Sequence, residues 1–381
     1  MLCILLFPIA LVTSITLTGI LLYVGLASFA ILSFINKRKF EVPDEVRPII
    51  YAFLIYIFSF FITKLVNSGF DESSKVLSRT AQDLLLFLWV FFFLHKDDKR
   101  KQYIGKSLIL AGSISVIYGL FQFFHLDFFH RQENLERISG FHKNAYSYAG
   151  QLIIFFFYFL YITKKTKNIF LKILIPGLTF FCILNTSERA VVLGVVIGLL
   201  VYLILINDKK GEITRSAIFT SIPFAISLFF HKYFLKRINN TISGGRGEKN
   251  ARFKLWKVAL ALWKKNILFG VGKFPVYIHK PIGGAVQHLT HAHNIYLQML
   301  VTNGLIGLLA YLNLLFSFLL IALRNLKNKT ASVILISIII SFLVEGIFEF
   351  FWGDSEVRYL IIYFFGFLIS VLVDSDKLVV E

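Results

Sequence analysis

Three stretches of this chain carry residue types suited to moving a proton or gripping an anion. His288-Leu-Thr-His291-Ala-His293-Asn294 closes a long polar connection directly before an apolar run. An imidazole titrates near neutral pH, so one of these histidines could serve as a general base. Clustered imidazoles also suit zinc, although no Cys or carboxylate lies close by in sequence to complete its shell, and capping and packing by all three is the plain alternative. Arg189, in Asn185-Thr-Ser-Glu-Arg189, falls between two apolar runs. A charge there calls for a partner: either Glu188 or another buried acid, or a phosphate, which fits the planar guanidinium fork. Arg137 and Lys143 flank Ser139-Gly-Phe141 in a further connection.

The elements that must hold these residues are membrane helices. Of 381 residues, 57% are hydrophobic and only 16% charged, and the mean hydropathy is +0.72. A soluble chain of this length could not hide so much apolar surface behind a charged exterior. Apolar runs near the ~20 residues that cross a bilayer follow one another at 1–35 (two spans, turning near Thr18-Gly19), 49–66, 80–94, 103–125, 144–163, 169–186, 190–206, 216–234, 295–323, 330–350 and 358–373. The expected fold is an all-α polytopic membrane protein with about twelve transmembrane helices. Mid-span charges read as nearly absent, with Glu345, Glu349, Lys64 and Lys106 near span ends.

The net charge of +18 resides between the spans, so membrane topology and anionic lipid explain it better than nucleic acid. With the N-terminus inside, 17 Lys and Arg fall in inner loops and 7 in short outer loops, which is the positive-inside pattern. Residues 1–235 then carry nine spans, 236–293 form a large outer loop, 294–373 carry three more spans, and 374–381 form an inner tail. Phe253, Trp256, Ala259/Leu260 and Trp263 recur at helical spacing among basic residues, so 250–266 reads as an amphipathic helix, lying at the membrane interface or simply solvating the loop. Acids on the outer side are scarce, and Asp354-Ser-Glu356 reads as structural. Cys3 and Cys182 lie in apolar segments and suggest neither a disulfide framework nor a metal site.

Four motifs, all on the outer side, resemble the bacterial O-antigen ligase family. His293-Asn294, nine residues and then Gly304-Leu-Ile-Gly307 is similar to its histidine signature; Arg189-x3-Leu193 resembles its outer-loop arginine motif; Arg252-x3-Trp256 followed by Leu268-Phe-Gly270-Val-Gly272 resembles its large-loop arginine segment; and Arg137-Ile-Ser-Gly140-Phe-His-Lys-Asn144 resembles a fourth segment. The resemblance covers roughly residues 130–365. It implies a C-type (GT-C) glycosyltransferase with a large periplasmic loop, in the bacterial inner (cytoplasmic) membrane, transferring a glycan from undecaprenyl diphosphate to lipid A-core oligosaccharide without metal, cofactor or nucleotide sugar.

On that reading His293 is the catalytic base, while Arg189 and Arg252 (or Arg246, in Gly244-Gly-Arg246-Gly) hold the diphosphate, with Arg137 adding positive charge. Asn294 orients His293 or, more in keeping with its position, caps the following helix. Gly304 and Gly307 form a small-x-x-small face for helix packing. An O-antigen polymerase, using the same donor, is the runner-up. A lipid-linked glycan transporter would need polar residues deep in several spans.

Overall fold

The computed structural model describes residues 1–35, 37, 40–67, 70–129, 137–164, 166–206, 209–230, 246–272, 274, 276–279, 286–289, 291–326 and 329–374. Apolar runs become helices because a helix satisfies its backbone internally, the condition for crossing lipid. In chain order they are α1 (Leu2–Thr13), α2 (Ile15–Ile35), α3 (Arg47–Val66), α4 (Phe70–Leu94), α5 (Asp98–Phe123), α6 (Ala145–Lys164), α7 (Ile169–Asn185), α8 (Arg189–Leu205), α9 (Lys209–Phe230), α10 (Arg246–Trp263), α11 (Ile295–Arg324), α12 (Lys329–Glu345) and α13 (Ser355–Val373).

Among the described residues, seven helices are long and apolar enough to span a membrane, and four shorter apolar helices accompany them. The chain is a helical, polytopic membrane protein. α6 and α13 are buried along almost their whole length, as an apolar helix in the middle of a bundle must be. α2, by contrast, turns Ile20, Tyr23, Ile31 and Phe34 outward, the side suited to lipid.

The structure corrects three expectations. The first 35 residues break at Ser14, not near Thr18-Gly19: Ser14 is extended, and its Oγ accepts from the Leu17 N–H at the start of α2. The span expected over 330–350 ends at Glu345, leaving 346–350 as a turn. The fold is not purely α, because β1 (Val276–His279) and β2 (Val286–Leu289) pair antiparallel, with Val276 opposite Leu289.

The large loop docks on α11. Leu255 and Ala259 of α10 pack with Phe274, Ala292 and Val301 in a small core of their own, while Phe253 and Leu260 stay exposed. Gly304 interrupts α11 with φ 66°, a left-handed value that glycine adopts without strain. A Cβ there would strike Leu268 O, and the opened helix accepts the loop through Val271 N–Val301 O (2.7 Å) and Leu305 N–Ile267 O (2.9 Å). Gly304 therefore makes a docking point for the loop, in place of the helix–helix face expected of it; Gly307 packs on Asn303 of its own helix. Close helix packing falls instead to α8 and α12, where Gly194 and Gly198 approach Ser341.

Candidate active site

The turn between α12 and α13 folds back onto the start of α11 and brings together residues far apart in sequence. Ile295 N–H donates to Gly346 O (2.8 Å). Asn294 caps α11, its Oδ1 accepting from Leu297 N–H (2.8 Å) while its Nδ2 donates to Ile347 O (2.8 Å). These bonds place Glu349 beside the histidine cluster. Glu349 Oε2 lies 2.8 Å from His293 Nδ1, and its Oε1 accepts from Arg252 Nη2 at 2.6 Å. Arg252 Nη1 also donates to Phe348 O. One carboxylate thus joins a histidine from the loop's end to an arginine from α10. This bond presents the opposite nitrogen, Nε2, as the one free to accept a proton when the imidazole is neutral.

His293 holds φ 47°, an uncommon backbone state for a bulky residue and one concentrated at functional sites. The His291 ring lies against it at a tilt, ring centroids 4.3 Å apart and planes 58° apart. Burial pushes the His291 imidazole down to about 4, nearby His293 adds to this, and Glu349 opposes it, so His291 is neutral at pH 7. His291, His293 and Glu349 each offer one ligand atom within 4.8 Å of the others, a geometry able to hold a metal ion. Sequence distance concealed this: no carboxylate stands near the histidines in sequence, but the α12–α13 turn delivers one.

These three residues line a cavity of about 700 Å³, within the usual size of a small-molecule site. Its walls include Glu188, Asp354, Tyr56 and Trp352, and also Asp83 of α4 and Arg358 of α13. Asp83 and Arg358 form a buried ion pair, Nε to Oδ1 3.0 Å. This corrects the expectation that mid-span charges are nearly absent: Asp83 stands inside the span expected over 80–94. A lone acid in an otherwise apolar run was the available signal.

The other expected arginines are placed differently. Arg189 begins α8 and is exposed, next to Glu188 on the cavity wall. Arg137 donates from Nε to Thr186 O (2.8 Å) and pairs with Glu188, which ties the 137–141 segment to the α7–α8 turn. In that turn Ser187 holds φ 59°. The backbone of Arg246 opens α10, but its side chain lies outside the described residues. His288 is on β2, with its side chain likewise outside the described residues.

Comparison with known proteins agrees with the motifs. Residues 174–312 match the family model described as O-antigen ligase, within the stretch over which the motifs resemble that family, so the resemblance is borne out. A protein of Haemophilus influenzae, named only as uncharacterized, is 25% identical over 82% of this chain and 82% of its own length. The ComP-specific O-oligosaccharyltransferase of Acinetobacter baylyi is 22% identical over 88% of this chain, which spans 62% of that relative's length. The chain is thus similar in sequence both to O-antigen ligases and to an O-oligosaccharyltransferase.

Proposed function

We propose that this protein is an O-antigen ligase, transferring a glycan from undecaprenyl diphosphate to lipid A-core oligosaccharide at the periplasmic face of the bacterial inner membrane. Both termini are then cytoplasmic and twelve helices cross the bilayer, a count that takes the four shorter apolar helices and α9 as spans beside the seven long ones. The observation that carries the reading is the Arg252–Glu349–His293 chain of bonds at the cavity wall.

In the proposed step, His293 Nε2 takes the proton from an acceptor hydroxyl as that oxygen attacks the anomeric carbon. The bond from that carbon to the diphosphate oxygen breaks, and direct attack inverts the configuration. Glu349 orients the imidazole and stabilises its protonated form, worth about 10²–10⁴ in rate for the base as a whole. Arg252 and Arg189 take up the charge growing on the leaving diphosphate, Arg252 standing ahead of Arg246 because it is tied to Glu349. Arg137 shapes the α7–α8 turn that presents Arg189. Glu349 already engages one cation through Arg252, which favours proton transfer over metal at this cluster.

The test is transfer by the purified protein, with undecaprenyl-diphosphate-linked oligosaccharide and lipid A-core, in EDTA. Wild type should transfer, and His293→Ala should fall by about 10³-fold. Full activity in the variant sinks the base assignment, and loss of wild-type activity in EDTA, restored by zinc, would make the histidine cluster a metal site. Longer glycans left on the carrier would mean a polymerase. The similarity to an O-oligosaccharyltransferase favours a second acceptor class, a protein hydroxyl, read in the same assay as glycan appearing on added protein.

A further inference from the structure

The cavity has a second polar end that the transfer step leaves unused. Arg358 lies four residues into α13 and is 4% exposed. Its Nε donates to Asp83 Oδ1 and its Nη1 to the Trp352 carbonyl at 2.8 Å. The third nitrogen, Nη2, is buried and meets no hydrogen-bond acceptor at bonding geometry among the described residues, the Tyr359 ring lying 5.2 Å from the guanidinium carbon. Buried donors are nearly always satisfied, so an orphan calls for an explanation. Arg358 lines the cavity together with Asp83, Tyr56 and Trp352, and charges at membrane depth generally mark a substrate path.

The chemistry of this end selects its ligand. Asp83 already neutralises Arg358, so the orphan nitrogen offers a strong donor with no net positive charge. Glu188, Glu349 and Asp354 line the same cavity against one further cation, Arg79, and this acidic majority disfavours a diphosphate deep inside it. A neutral, hydroxyl-rich ligand meets neither objection. Tyr56 and Trp352 supply aromatic surface beside the donor, an apolar body with a polar handle, which complements a sugar ring with its C–H face and its rim of hydroxyls.

Building on the transfer reading above, we propose that the Asp83–Arg358 end of the cavity is a saccharide subsite, in which Arg358 Nη2 donates to a sugar oxygen and Trp352 packs against the ring. The sugar belongs either to the donor glycan or to the acceptor core; the chemistry is the same, and the source is read by experiment.

The test is equilibrium binding by the full-length protein in detergent, with three probes: undecaprenyl diphosphate, the same carrier bearing an oligosaccharide, and lipid A-core. Arg358→Lys keeps a cation for Asp83 and removes the third nitrogen; Trp352→Leu leaves the ion pair intact and stands in should the first variant not fold. Binding of one sugar-bearing probe should weaken about tenfold, the worth of one good hydrogen bond or ring contact, while bare undecaprenyl diphosphate binds as before. A loss on the oligosaccharide carrier assigns the subsite to the donor, and a loss on lipid A-core assigns it to the acceptor. Unchanged binding of both glycans, or an equal loss on the bare carrier, overturns the proposal. Wild-type protein that binds these glycans but transfers none would sink the ligase reading and leave the subsite standing.

Discussion

Two carboxylate–arginine pairs of opposite character stand at the cavity: Asp83, Arg358 and Glu349 line it, and Arg252 reaches Glu349 from behind the wall. Glu349 and Arg252 meet at its loop end, where Arg252 is 38% exposed and His293 33%. Asp83 and Arg358 meet among the spans, at 1% and 4%. The first pair has water at hand, is shared with a histidine and draws its arginine from a loop helix. The second is dry, joins two membrane helices and leaves one donor open. The same two functional groups thus serve different ends: an accessible pair can change protonation and partner during a reaction, whereas a desolvated pair must keep its charges matched and acts as a fixed wall. A reacting centre needs both, a mobile proton relay and a surface against which the substrate is held.

Removing the acid at each end separates the two roles. Asp83→Asn leaves the Arg358 charge buried and uncompensated, which should cost about 3–5 kcal/mol of stability and appear as a large drop in melting temperature in detergent. Glu349→Gln leaves Arg252 able to turn toward water, so its stability cost should stay within about 1 kcal/mol. Its effect falls on the rate: transfer should drop by about 10–100-fold, the usual consequence of losing the group that orients a functional histidine, with KM for the donor rising as Arg252 loses its anchor. A stable Asp83 variant, or a Glu349 variant that melts early and turns over normally, would reverse the assignment of the two ends.

How much of this was legible beforehand follows from what each feature depends on. Hydropathy is local, so the helices came out close to their expected bounds, Arg47–Val66 for 49–66 and Ile295–Arg324 for 295–323. The helical spacing of Phe253, Trp256, Ala259/Leu260 and Trp263 located α10; of that face Ala259 packs inward beside Leu255 and Trp263 lies against the same core, while Phe253 and Leu260 stay outside. Asn294 caps its helix because a cap is decided by the next three residues. Glu349 was visible only as an acid near a span end; its bonds to His293 and Arg252 depend on a turn 56 residues away from the histidine. Asp83 was hidden for the same reason, since its partner Arg358 is 275 residues distant. Motif spacing located His293 and Arg252 at the loop end, whereas Glu349 and the whole membrane end are placed by tertiary pairing.

The smallest expected effect sharpens the contrast at the loop end itself. His291 sits beside His293 but is held down to about 4 by burial, against an ordinary value of about 6.5. Below that ordinary value the unfolded chain takes up a proton that the folded site refuses. The unfolded state then binds more protons, so stability falls as pH is lowered from about 6.5 toward 4 and is fully present above that window, by an amount on the order of 1 kcal/mol at pH 5.5. Melting temperatures between pH 5 and pH 8 read this directly: wild type should lose stability on the acid side, and His291→Asn, which has nothing to titrate, should flatten that part of the curve. The same substitution should leave the pH dependence of transfer near neutrality in place, because His291 stays neutral there. A variant whose rate profile shifted instead would place the working proton on His291 and make His293 its support.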